Sequence, residues 1–204
     1  MLYENFIIND MNALIIANGS HPSLWIVRRL VHDADVVICV DGGANYANKH
    51  NIVPDVILGD FDSISPLTKR KFRKIKQLHI KDQDSTDLEK AISYCIKKKI
   101  DEANIIGAFG DRIDHTTGSL GCFKKFRGKI VLRFVDDVGV VSEIKKSVII
   151  QTTVGEKTSL IPLDRCTGVT TKNLLYSLKN GVLELGVQEG ISNVATSTSV
   201  TINV

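Results

Sequence analysis

The stretch "DVVICVDGGAN" (35–45) puts the tightest limit on how this chain can fold. Its apolar run has no polar alternation, is too short for a stable helix of its own, and stops at Asp-Gly-Gly. A run of that kind suits a strand buried on both faces. The same unit recurs. "NALIIAN" (12–18) halts at Gly19, and "DVIL" (55–58), "LHI" (78–80), "NIIGAF" (104–109) and "KIVLRFV" (129–135) follow. Between them lie segments at helical spacing. "HPSLWIVRRLVHD" (21–33) places Leu24, Val27, Leu30 and Val31 on one side, and further helices fit 43–51, 86–99 and 114–126. Strand–helix alternation predicts a parallel sheet with helices on both faces, a three-layer α/β domain. Trp25 is expected in its core, and the basic run "KRKFRKIKQ" (69–77) reads as a solvated helix face.

Past residue 136 the pattern changes. Short β-branched runs such as "SVIIQT", "TSLIPL", "VLELGV" and "SVTINV" are separated by glycines, and no helical periodicity remains. That predicts a small antiparallel β-sandwich. The expected organisation is an α/β domain over 1–136 and a β-sandwich over 137–204, with no Pro- or Ser-rich linker between them. At 204 residues the chain is long enough to bury a core without staples.

The acidic residues of the first part fall where its strands end. Asp41 follows "VVICV", Asp60 and Asp62 follow "VIL", Asp84 and Asp87 follow "LHI", and Asp111 and Asp114 follow "NIIGAF". Open α/β sheets bind ligands beyond the carboxyl ends of their strands. Carboxylates gathered on that rim repel one another unless a cation sits among them, and hard divalent cations take such oxygen ligands. Mg²⁺ shares its sites with substrate phosphates, which favours a magnesium–nucleotide site over a calcium cage. Each acid also has a local structural explanation. Thr86 and Glu89 form a capping-box pattern that accounts for Asp87, Asp114 could be an N-cap, Asp62–Ser63 an Asx turn, and the glycines of "DGGAN" could serve positive φ. None of these explanations requires the acids to share one rim.

Composition and missing motifs narrow the chemistry. Basic residues number 26 against 23 acidic, a net charge of +3, too balanced for a nucleic-acid or anionic-membrane binder. The four cysteines show no CxxC pairing and read as free thiols. "MLYENFIIND" lacks the pattern of a secretory leader, and no apolar run reaches spanning length, so the expected location is cytoplasmic. P-loop, GxGxxG, HExxH and GxSxG motifs are absent. Phosphates would therefore be held by metal, by backbone amides such as those of "DGGAN", and by basic side chains, with Arg112 the best-placed guanidinium. His115 is a candidate general base, or equally a locally bonded helix-start residue.

"DGGAN", "PDVILGDFDSI", "DQDSTDLEKAI" and "GAFGDRIDHTTGSL", in this order and spacing, resemble the thiamine pyrophosphokinases. "SLIPL", "VTTKNLLYSL" and "ISN" resemble that family's second domain. The resemblance implies a nucleotide-binding α/β domain, a thiamine-binding β-sandwich, and a homodimer with active sites at the subunit interface. It also implies the reaction: thiamine and ATP give thiamine diphosphate and AMP, with Mg²⁺. Carried onto this chain, Asp60, Asp62 and Asp87 would hold Mg²⁺, with Asp41 and Asp114 close by. Ser85, Thr86 and Arg112 would contact phosphate or nucleotide. Gln83, Ser192 and Asn193 would touch thiamine, with Tyr176 as an aromatic wall. Two departures stand out. Asp111 adds a negative charge beside Arg112 where the family usually has a small residue, and the sequence stops at Val204 where relatives commonly continue into another strand, so either the last strand pair is shortened or the chain continues beyond it. The alternatives are a pyrophosphokinase for another heterocyclic alcohol such as a pterin, a nucleotide-binding regulatory module, and a metal-dependent phosphohydrolase.

Overall fold

A computed structural model describes residues 11–82, 84–110 and 112–204. They divide into two compact units, one running to Glu143 and the other spanning Ile144–Val204. In the first unit the chain runs β1 (Asn12–Ile16), α1 (Leu24–Asp33), β2 (Val36–Val40), α2 (Gly43–Lys49), β3 (Val56–Gly59) and α3 (Pro66–Lys71). It continues through β4 (Lys76–His79), α4 (Asp87–Lys97), β5 (Glu102–Ile106), α5 (Ile113–Lys125), β6 (Val131–Val135) and β7 (Val140–Ser142).

These strands make one seven-stranded sheet in the order β4-β3-β2-β1-β5-β6-β7. Every ladder is parallel except that of β7, which returns antiparallel to β6. Four consecutive residues in each of β1, β2 and β3 are buried, so both faces of the sheet centre are covered. Leu14, Ile15, Ile16, Ile38, Ile57, Leu58, Ile105 and Ile106 form the middle of that core. Each such side chain contributes about 1.5–3 kcal/mol relative to exposure. The strand order reverses at β1, which pairs with β2 on one side and β5 on the other. Beyond their carboxyl ends the two flanking loops are joined: Gly19 N–H donates to Gly107 O (2.7 Å) and Ser20 N–H to Phe109 O (2.8 Å).

The second unit contains β8 (Ser147–Gln151), β9 (Lys157–Leu160), β10 (Cys166–Lys172), β11 (Gly181–Leu183), β12 (Gly190–Val194) and β13 (Ser199–Asn203). They form an antiparallel four-stranded sheet, β11-β10-β13-β8, and a two-stranded one, β12-β9. Leu174, Ala195, Val200 and Ile202 are its buried centre, with Ile144, Val148, Ile150 and Leu160 packed against them. Among the described residues, no helix is long and apolar enough to cross a membrane.

Three features differ from the expectations. Trp25 is 61% exposed on α1 rather than in the core, because Ile26, Val27 and Leu30 carry that helix's buried side. The basic run 69–77 is not one helix: α3 opens at Pro66, capped by Ser65, and ends at Lys71 with Phe72 as its C-cap, and Lys76–Gln77 already belong to β4. Residues 140–142 extend the first sheet, so the division between units falls after Glu143.

Candidate active site

The carboxyl ends of β2, β3 and β4 are neighbours on one edge of the sheet, and the acids that follow them converge there. Asp41, directly after β2, turns the chain with φ 42° and donates its N–H to Leu58 O at 2.8 Å. The glycines after it serve close approach rather than positive φ. A Cβ on Gly43 would lie 2.1 Å from Ile16 O, so only glycine lets α2 start against β1. Gly59, at the end of β3, has φ 138°, and its missing Cβ would stand 3.1 Å from Asp41 Cβ. Phe61 follows at φ 67°. Left-handed backbone at non-glycine Asp41 and Phe61, on either side of this junction, is strain of the kind held at ligand sites.

One oxygen each from Asp41, Asp60 and Asp87 lies within 4.8 Å of the others. Asp41 is 8% exposed, and its Oδ1 is fully buried without a hydrogen-bond partner. Burial pushes its carboxyl above the usual range, and the charges of Asp62 and Asp60 push the same way, against hydrogen bonds from Ser63 and Gly42. A buried carboxylate oxygen left unbonded costs about 1–3 kcal/mol or more, so a cation among the three fits this donor set. Three hard oxygen donors suit a divalent ion that completes its coordination with waters or phosphate oxygens.

Asp62 lies outside that group. Its N–H donates to Asp60 Oδ1 (3.3 Å) and its Oδ1 accepts from the Ser63 hydroxyl (2.9 Å), so it braces the loop from the exposed side. Asp87 opens α4, and Thr86 caps that helix: Thr86 Oγ1 accepts from Glu89 N–H (3.2 Å) and Glu89 Oε2 accepts from Thr86 N–H (3.0 Å). Ser85 donates to Asp82, and Asp84 N–H is held by Asp82 Oδ1 at 2.9 Å. Gln83 and Asp111 lie outside the described residues.

Arg112 and Asp114 sit together at the start of α5, both exposed, with two guanidinium nitrogens on the two carboxylate oxygens. That contact lowers the Asp114 carboxyl to about 2. β1 intervenes between β2 and β5, so β5 stands three strands from β3 and four from β4, and Asp114, held by Arg112, is not in the group of three. His115 is exposed on α5. In the second unit Tyr176 is 70% exposed. Its backbone is clamped by buried Asn193, whose Oδ1 accepts from Tyr176 N–H (3.0 Å) while Nδ2 donates to Tyr176 O (2.8 Å). Ser192 has φ 57°, and its N–H donates to Ser159 Oγ at 3.0 Å. Lys90, which the motif reading passed over although it stands at i+3 from Asp87, bonds the Asp87 carboxylate at 2.9 Å.

A family model described as "Thiamin pyrophosphokinase, catalytic domain" matches residues 27–132, and "Thiamin pyrophosphokinase, vitamin B1 binding domain" matches 146–204. The chain belongs to the thiamin pyrophosphokinase family. Relatives that bear that family's name match most of the chain. Thiamin pyrophosphokinase 1 of Caenorhabditis elegans is 27% identical over 196 residues, covering 85% of this chain and 76% of the relative. Thiamine pyrophosphokinase 1 of Oryza sativa is 28% identical, covering 89% and 77%. The crystal structure of thiamine pyrophosphokinase from Bacillus subtilis shares the fold, with a TM-score of 0.82 at 24% identity over 94% of this chain and 93% of that one. The yeast enzyme's structure does so at a TM-score of 0.83 and 17% identity, over 99% and 84%. All four strand-end motifs that carry acids lie within the stretch matched by the catalytic-domain model.

Proposed function

We infer that this chain transfers diphosphate from ATP to the hydroxyl of thiamine, giving thiamine diphosphate and AMP. The observation that carries this is the convergence of Asp41, Asp60 and Asp87 on the rim of the unit that matches the family's catalytic domain. The hydroxyl oxygen forms a bond to the β-phosphorus of ATP, and the bond from that phosphorus to the α–β bridging oxygen breaks. AMP leaves with the bridging oxygen, and the hydroxyl proton goes to solvent or a nearby base. Such transfers are accelerated by positioning and charge neutralisation more than by covalent chemistry. When bound, Mg²⁺ would supply charge neutralisation for the phosphates, held by Asp60 and Asp87 with Asp41 or Asp62 completing the oxygen set.

The other side chains bind and orient. Arg112 exchanges Asp114 for a phosphate, and Asp114 keeps the guanidinium aimed while the site is empty. Ser85 and Thr86 offer hydroxyls at the start of α4, whose N-terminal dipole favours an anion. For thiamine, Gln83 is carried by the family motif. The exposed Tyr176 ring supplies a wall, Ser192 a polar contact, and Asn193 acts by clamping Tyr176. Assembly as a homodimer is supported by apolar side chains crowded between 175 and 191. Leu175, Tyr176, Leu185, Val187 and Ile191 are each more than half exposed in the single chain.

Incubation with ATP, Mg²⁺ and thiamine tests the reaction by identifying products chromatographically. AMP and thiamine diphosphate should form together and only when thiamine is present. Phosphate release regardless of thiamine, or AMP formation with a pterin alcohol instead, overturns the assignment.

A further inference from the structure

Lys90 is a charged side chain where charge is costly. It lies in the first turn of α4 with its side chain 7% exposed, among Leu88, Ala91 and Ile92, which are buried on the same helix. A buried ammonium needs a close counter-charge. Nζ donates to Asp87 Oδ1 at 2.9 Å, and Asp87 is its hydrogen-bonded partner among the described residues. Asp87 is also one of the three acids whose oxygens converge with those of Asp41 and Asp60. One of the three acids is therefore bonded to a buried monocation.

We propose that Lys90 is a positioning residue of this site, an internal counter-ion that fixes the Asp87 carboxylate and partly neutralises the three acids when no divalent cation is bound. The proposal rests on the reading of Asp41, Asp60 and Asp87 as a metal site. Its consequence is a trade of charges. The ammonium steadies the metal-free protein by offsetting repulsion among the acids, and it opposes an arriving divalent ion by like-charge repulsion. Loss of the lysine frees the Asp87 rotamer, but a divalent ion feels the removed charge twice over, so the Coulomb effect governs affinity. Stability and cation affinity should thus move in opposite directions when Lys90 is neutralised. A lysine that only fills space would lower stability equally with and without metal and leave affinity alone.

The full-length chain, stripped of metal, is compared with Lys90→Met and Lys90→Arg, with Lys90→Gln used should the methionine variant fail to fold. Mn²⁺ is titrated into the protein with α,β-methylene-ATP, free Mn²⁺ being read by electron paramagnetic resonance against the same titration of the nucleotide without protein, and melting is followed in EDTA and in Mg²⁺. The neutral variant should bind Mn²⁺ roughly three- to tenfold more tightly, melt lower in EDTA, and show a larger Mg²⁺-induced rise than the wild-type chain. Lys90→Arg should restore the wild-type pattern. Unchanged or weaker Mn²⁺ binding in the neutral variant, beside saturable binding in the wild-type chain, overturns the role of Lys90 alone. Absence of saturable binding in the wild-type chain overturns the metal reading and this proposal with it.

Discussion

His21 stacks on Tyr46 with ring centroids 3.7 Å apart and planes 7° from parallel, while its Nε2 lies 2.8 Å from Ala17 O. In the neutral imidazole, Nε2–H donates to that carbonyl and the ring completes the loop after β1. Burial lowers the His21 pKa from its ordinary value, outweighing the carbonyl bond that raises it, and the charge of His50 adds to the lowering. The sign of the effect on stability follows. Below about 6.5 the unfolded chain takes up a proton that the folded ring resists, so unfolding gains protons and stability falls as pH drops. His21→Phe keeps the stack and removes the titration. Urea midpoints between pH 7.5 and 4.5 should decline less steeply in that variant than in the wild-type chain; parallel declines would show that His21 is not the titrating group. Asp41 shows the other residue-scale lesson. The acid was readable from its place after "VVICV", but the orphaned Oδ1 and the left-handed turn depend on Gly59 and Leu58 across the sheet, which no local pattern encodes.

At the scale of elements, the buried strands were legible because a strand covered on both faces needs no polar alternation, and β1, β2 and β3 are of this kind. β4 was less so: at the sheet edge its "KQLH" is largely exposed and resembles a loop. For α3 the start signal, Ser65 followed by Pro66, stood in plain view, but the basic run beyond it suggested one longer helix. The capping box at α4 was legible from Thr86 and Glu89, and it sharpens a question of role. Thr86 serves the helix, and the proposed reaction asks it to serve phosphate as well. Thr86→Ala should cost about 1 kcal/mol in stability, whereas Thr86→Asp keeps an N-cap acceptor and adds a charge that repels phosphate. Chemical denaturation and steady-state turnover, measured on both variants, separate the roles. Stability should return in Thr86→Asp while turnover stays low, and a joint recovery would mean that Thr86 acts only as a cap.

At the scale of the molecule, strand order decided which acids meet. Sequence presents the ends of β2, β3, β4 and β5 as equals, but the order β4-β3-β2-β1-β5 brings three together and sets the fourth apart. Adjacency in a sheet is settled by long-range pairing, which is why the rim was readable and its grouping was not. The second unit raises the same issue between chains. Its thiamine contacts are proposed for Tyr176 and Ser192, and its exposed apolar stretch supports a subunit interface. If each active site takes its acids from one chain and its thiamine wall from another, two inactive variants can complement. Asp60→Asn removes the acid and Tyr176→Asp the wall, and each homodimer should be inactive. Refolded together in equal amounts, half of the dimers are mixed, and each mixed dimer holds one site with both halves intact. Activity should then return to about a quarter of the wild-type level. A site built within one chain gives no recovery, because every chain in the mixture carries one defect. Retained activity in Tyr176→Asp alone would instead remove Tyr176 from the thiamine wall.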